Sequence, residues 1–263
     1  PASRSQLLSL NTSSYTPGGL DLTREKVDYF QRYQFYMLYS ADIEKYAETE
    51  SKDSLKQKLE GIFQYNFRGG LTLEFLLQGS QTRDPDFLTE STEQDNFKTG
   101  LTGLSTSYEI SDMLRGRLDY SNFIVDYDTS SNSFKDRSDN VSSAYLFFVL
   151  SPKTEIFLEY ETISLGYVEN TLSDSEHNHV LGGLKWQATE KSMAKVKIGQ
   201  GTKTFENSSL DKITATILEL TANYSFTQKS SLNLMAGTKL KETPIATSAY
   251  VLNQLASVGY QQF

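Results

Sequence analysis

Read two residues at a time, most of the chain from residue 71 to residue 240 alternates between a greasy and a polar parity. In Thr154-Glu-Ile-Phe-Leu-Glu-Tyr-Glu161, Ile156, Leu158 and Tyr160 share one face, and Glu155, Glu159 and Glu161 share the other. Leu71, Leu73, Phe75 and Leu77 oppose Thr72, Glu74 and Gln78 in the same way. Val180, Gly182, Leu184 and Trp186 oppose His177, His179 and Lys185, and Ala194, Val196 and Ile198 oppose Lys195 and Lys197. Further on, Leu218, Leu220, Ala222, Tyr224 and Phe226 oppose Glu219 and Asn223, while Leu232, Leu234, Ala236 and Leu240 oppose Asn233 and Lys239. Period-two patterning of this kind predicts β-strands with one apolar and one polar side. Phe97 to Ile110, with Gly100 and Gly103, fits neither parity cleanly. A helical reading competes near the start, where Val27, Phe30, Gln34 and Leu38 share a helical face behind Thr23. The aromatic run Tyr33-Gln-Phe-Tyr-Met-Leu-Tyr39 favours a first strand instead.

A soluble sandwich has such strands too, so the connections must decide. Five tight turns recur roughly every forty residues: Tyr65-Asn-Phe-Arg-Gly-Gly-Leu71, Tyr108-Glu-Ile-Ser-Asp-Met-Leu114, Val149-Leu-Ser-Pro-Lys-Thr154, Trp186-Gln-Ala-Thr-Glu-Lys-Ser192 and Tyr224-Ser-Phe-Thr-Gln-Lys-Ser230. Between them lie longer polar stretches, at 81–96, 126–140, 166–176, 203–212 and 241–247, rich in the residues that solvate well and end strands. Aromatic side chains fall just before the tight turns, where a lipid-interface girdle belongs. Short turns at one rim and long loops at the other predict an all-β fold, a closed antiparallel outer-membrane β-barrel of about twelve strands. Its short turns are expected to face the periplasm and its longer loops the exterior. Residues 1–26, rich in Ser and Thr, read as a tail on the periplasmic side or in the lumen, and 27–263 as the barrel.

Composition narrows the alternatives. Mean hydropathy is −0.45, and the longest apolar run, around 144–150, is far short of the roughly twenty residues a spanning helix needs. The formal charge of −8 argues against a nucleic-acid partner, which requires a basic face. Cysteine is absent, which removes disulfides, thiolate metal sites and Cys nucleophiles. The chain opens Pro-Ala-Ser-Arg-Ser without a methionine or an apolar signal region, which fits a processed exported protein and a trimmed one equally.

If the apolar parity meets lipid, the other lines a lumen. The expected pore-lining residues are Arg32, Glu74, Arg115, Arg117, Glu155, Glu159, Glu161, Lys185, Lys195, Lys197, Glu219 and Lys239, with Asp119 beside them. Both signs are present, and opposed charges on neighbouring strands can pair across the ladder. Such a lining either sorts polar solutes in a wetted pore or neutralises itself and plugs the barrel. Enzyme signals are thin. The only two histidines, His177 and His179, share a face and could reach one metal ion or serve an acid–base pair at the rim, but they read more simply as solvated loop residues. No nucleophile elbow, phosphate-binding loop or zinc-protease motif is present. We therefore expect no enzyme, no cofactor and no metal.

From about Tyr145 onward the phrasing resembles the β-barrel porins encoded with bacterial exopolysaccharide export systems. The residues carrying it are Leu150-Ser-Pro-Lys-Thr-Glu-Ile-Phe-Leu-Glu-Tyr160, Glu176-His-Asn-His-Val-Leu-Gly-Gly-Leu-Lys-Trp186-Gln-Ala-Thr and Leu255-Ala-Ser-Val-Gly-Tyr260. It covers a little under half of the chain and supplies no catalytic residues. The resemblance implies a Gram-negative outer-membrane location and a role in polysaccharide passage. One departure is the ending Gly259-Tyr-Gln-Gln-Phe263, whose aromatics sit on opposite parities rather than two apart. The leading expectation is a channel for polar solutes or a secreted polysaccharide, in contact with outer-membrane lipid and coupled to periplasmic or envelope-complex proteins. A structural barrel anchoring an envelope complex and an outer-membrane rim hydrolase are the alternatives.

Overall fold

Tight turns and period-two strands leave the chain one economical arrangement, in which each strand pairs with the next. The structure is a computed structural model that describes residues 32–44, 54–83, 96–169, 174–207, 210–227, 229–241 and 251–262. The expected tail at 1–26 and Phe263 lie outside the described residues. Twelve strands are described: β1 (Tyr33–Glu44), β2 (Ser54–Asn66), β3 (Leu71–Arg83), β4 (Asn96–Ser111), β5 (Leu114–Tyr127) and β6 (Arg137–Ser151), followed by β7 (Thr154–Tyr167), β8 (Ser175–Thr189), β9 (Ser192–Phe205), β10 (Ile213–Thr227), β11 (Ser230–Lys241) and β12 (Val251–Gln262). They form one antiparallel meander in the order β1 to β12, and no β12–β1 pairing occurs among the described residues. The aromatic run at 33–39 is strand, as its composition favours.

Connections at one end of the sheet span 67–70, 112–113, 152–153, 190–191 and 228–229; those at the other span 45–53, 84–95, 128–136, 168–174, 206–212 and 242–250. The strands run further into the polar stretches than the composition suggested. Arg137 to Asn140, expected in a loop, begin β6, after a 3-10 turn at Ser130–Lys135.

The short turns share a local device that the sequence motif half disclosed. Ser111, Ser151, Thr189 and Thr227 each accept, through the side-chain oxygen, the backbone N–H of the residue two further on. A hydroxyl that satisfies its own turn allows a two-residue reversal without glycine. In each of these four hairpins the register slips beside that residue, a bulge that sharpens the bend. The β2–β3 turn is built differently, around Gly70 at φ 81°, a conformation that an L side chain resists. At the other end, Asp136 and Asp174 accept the last N–H groups of β5 and β7, those of Tyr127 and Tyr167, at 2.8 and 2.7 Å.

Candidate functional site

The decisive feature is which side chains the sheet hides. Glu60, Gln78, Asp139, Glu159, Glu161, His177, Lys197 and Lys203 are all buried, whereas Phe75, Leu118, Leu158, Val180, Ile198 and Val258 are exposed. Leu158 is 60% exposed and its neighbour Glu159 is 3% exposed. A soluble protein does the reverse, because buried charges are costly and large apolar patches meet water unfavourably. An outward apolar face is stable when lipid covers it. The covered stretch has an upper edge. Tyr120 and Tyr160 point outward, and each hydroxyl donates toward the long-loop end, to Asn140 at 2.9 Å and Asn178 at 2.8 Å. Beyond them the outward side chains turn polar, with Asn140, Ser164, Glu176 and Thr204 in one row. Strands β4 to β9 run 14 to 16 residues, longer than the roughly 9–11 that cross a bilayer.

The inward face of β5 to β10 carries a dense polar and aromatic array. Arg117 bonds Asp119 at 2.8 Å and lies over the Tyr145 ring, and Arg115 reaches Glu155 at 3.3 Å while covering the Phe147 ring. Tyr145 donates its hydroxyl to Glu159 at 3.2 Å. Lys197 binds Glu159 at 2.9 Å and stands 3.8 Å from Glu219. Glu161 takes the Ser143 hydroxyl at 3.3 Å and the His179 Nδ1 at 2.9 Å. Three glycines make room for this array. A methyl group at Gly183 would overlap the Phe157 ring, one at Gly201 would press on Ile217 and His179, and one at Gly199 would strike the backbone of Val180.

By register, the expected inward residues from Glu74 to Glu219 share one parity of the sheet. Glu74 is half-buried beside Gln78 on β3, Arg115 and Arg117 lie on β5, and Glu155, Glu159 and Glu161 lie on β7. Lys185 is on β8, Lys195 and Lys197 on β9, Glu219 on β10 and Lys239 on β11. Arg32 immediately precedes β1, where its carbonyl accepts the Asn66 N–H at 2.7 Å. One expectation is met in part and one needs correction. Glu161–His179 and Lys197–Glu219 pair between neighbouring strands as expected, but Arg115–Glu155 joins β5 to β7 and Lys197–Glu159 joins β7 to β9. The register explains this: Leu181 stands opposite Glu159 and Gly183 opposite Lys197, so the long lysine crosses the small residue to find its carboxylate. The two histidines are not solvated loop residues. His177 and His179 are 2% and 8% exposed on the inward face of β8, because the strand begins at Ser175. Among the described residues no group of three or more His, Asp or Glu is placed to hold a metal ion.

Sequence reading missed Tyr145, Phe147 and Phe157 as parts of this wall. Phe157 shares the parity of the three glutamates, a usable signal. Phe147 sits in a run that is apolar on both parities, which hid its direction.

Residues 30–262 match the family model described as "Putative beta-barrel porin 2". The chain belongs to this family. The porin is therefore an outer-membrane protein of Gram-negative type, as the inverted faces of its sheet require. The family match does not link it to exopolysaccharide export. No curated relative matches it. Similar solved structures include the KdgM porin in complex with disordered oligogalacturonate, at 10% identity over 78% of this chain and 90% of that one, with a TM-score of 0.35. The Ralstonia pickettii toluene transporter TbuX matches at 10% identity over 88% and 78%, with a TM-score of 0.44. LpxR from Salmonella typhimurium matches at 10% identity over 79% and 88%, with a TM-score of 0.38.

Proposed function

We propose that β12 pairs with β1 to close a twelve-stranded barrel, and that the barrel is a channel for polar solutes or a secreted polysaccharide. Closure would satisfy the last two rows of backbone donors and acceptors, which the bilayer offers no water to solvate. Twelve strands enclose more space than the eight whose side chains fill a barrel. One observation carries the open lumen. Leu38, Met235 and Leu255 sit on the inward parity of β1, β11 and β12, yet remain 42%, 49% and 50% exposed. Their exposure supports a lumen left open on this side. Arg32, Glu74, Arg115, Arg117, Glu155, Glu159, Glu161, Lys185, Lys195, Lys197, Glu219 and Lys239 line the pore in this reading. The short turns face the periplasm, where envelope proteins could engage Arg68, Lys153 and Lys191, all exposed.

The test is single-channel recording after reconstitution of the full chain into planar bilayers. Discrete, ohmic current steps are expected from protein whose gel migration shifts on boiling. Folded protein that never conducts would overturn the channel and leave a sealed structural barrel.

A further inference from the structure

A second feature of the inward face lies outside the charged array, near the short-turn end of β8 to β12. A cavity of about 300 Å³ opens there, lined by Lys185, Lys195, Asn223, Asn233, Met235 and Ser257 among others. Its size is at the lower end for small-ligand pockets, which run about 300–1,000 Å³. Lys185 and Lys195 stand directly opposite one another on β8 and β9. Like charges at directly opposed positions destabilise a ladder unless something negative lies between or beside them. Glu155 is the cross-strand neighbour of Lys185 on the other side, but its carboxylate is turned to Arg115. Among the described residues no carboxylate comes within ion-pair distance of Lys185. Lys195 leans over the Phe157 ring at 5.6 Å, on the flank of the same cavity. Across the cavity floor, Asn223 and Asn233 are directly opposed on β10 and β11, each offering an amide donor and acceptor.

We propose that this cavity is a binding subsite for a hydroxylated organic anion, the chemistry of an acidic sugar. The carboxylate sits between Lys185 and Lys195. The two asparagine amides and Ser257 bond the hydroxyls, and Met235 covers the apolar edge of the ring. The proposal rests on the channel reading for its role, because a subsite at the short-turn mouth would select what passes. Its existence is tested apart from conduction. A chain of net charge −8 thereby gains a locally cationic station, so the pore discriminates against the sign of the whole molecule.

The experiment uses the full chain in detergent and in bilayers, with an oligomer of glucuronic acid and its carboxyl-reduced, neutral counterpart as probes. Calorimetric titration of the folded protein should show the acidic oligomer binding more tightly than the neutral one. Lys185→Gln and Lys195→Gln should each weaken the acidic oligomer roughly ten- to a hundredfold, the factor carried by one charge-assisted hydrogen bond. Neither should move the neutral oligomer. Lys185→Arg should restore most of the affinity, which guards against a merely structural defect. In bilayers the acidic oligomer should block the parent channel, and the Gln variants should lose block at equal concentration. Equal binding of both oligomers, or binding unchanged in both Gln variants, would overturn the subsite while leaving a conducting channel intact. Charge-dependent binding in protein that passes no current would do the opposite.

Discussion

Two regions of the inner face of this porin differ in kind. From β5 to β10 it is crowded: cations lie over aromatic rings, carboxylates are pinned by Lys197, Arg115 and His179, and glycines recede to let rings in. Across β11 and β12 the inward positions hold Ser231, Asn233, Met235 and Gly237, then Leu255, Ser257 and Gly259. Apart from Lys239 further along β11, those positions are uncharged, and Met235 and Leu255 stay exposed. The outward faces of the two regions do not differ, since Leu158 and Leu234 are both exposed hydrophobics at comparable depth. Lipid fixes the outside of every strand alike, whereas the inside is free to be packed or left empty. In the channel proposed above, the packed region would give the wall rigidity and the open region a passage.

The largest expected contrast follows from charge. Lys197→Met keeps the bulk of the side chain but leaves the Glu159 carboxylate, 3% exposed, without its cation. Removing one partner of a buried pair costs about 3–5 kcal/mol. Urea unfolding in lipid vesicles should show a loss of that order, and adding Glu159→Gln should recover most of it. A loss below about 1 kcal/mol would mean that water reaches Glu159 freely and that the two regions are equally wet.

Packing gives the second contrast. Gly183→Ala drives a methyl group into the Phe157 ring, and overpacking of this kind costs about 1–3 kcal/mol. Gly259→Ala on β12 meets nothing nearer than the Asn233 Cβ at 3.9 Å. It should be neutral, or stabilising by about 0.4–1 kcal/mol through the unfolded chain. The same unfolding assay checks both, and equal effects would erase the distinction between the regions.

The sequence disclosed the outside of this protein better than the inside, for a physical reason. Lipid demands an apolar residue at every outward position, so Ile156-x-Leu158-x-Tyr160 and Val180-x-Gly182-x-Leu184-x-Trp186 announce their direction. The inward face answers only to its neighbours. Whether Glu159 meets Lys185 or Lys197 depends on register and on the absence of a side chain at Gly183, which no single strand reveals. In β4 the outward face holds Gly100, Thr102 and Thr106, and the inward face Leu101, Gly103 and Ser105. Both faces mix small with apolar residues there, so the alternation vanished although the strand is regular. The histidines misled because the polar run before them looked like loop, yet the strand starts at Ser175.

The smallest effect on stability should accompany the largest on passage. Asn233 lies near the short-turn end of β11, opposite Asn223 and Gly259. Asn233→Ala removes only an amide near water and should change stability by no more than about 0.5 kcal/mol. Asn233→Trp adds a ring on the side where no packed array receives it, so the ring must project into the passage. Single-channel current should fall markedly while unfolding stays near that of the parent. The mirror substitution, Ser143→Trp in the crowded region, should do the reverse: it has no room beside Glu161, so it unfolds the wall before it narrows the pore. If both tryptophans cut the current without touching stability, the crowded region is not packed and the passage runs along the whole inner surface.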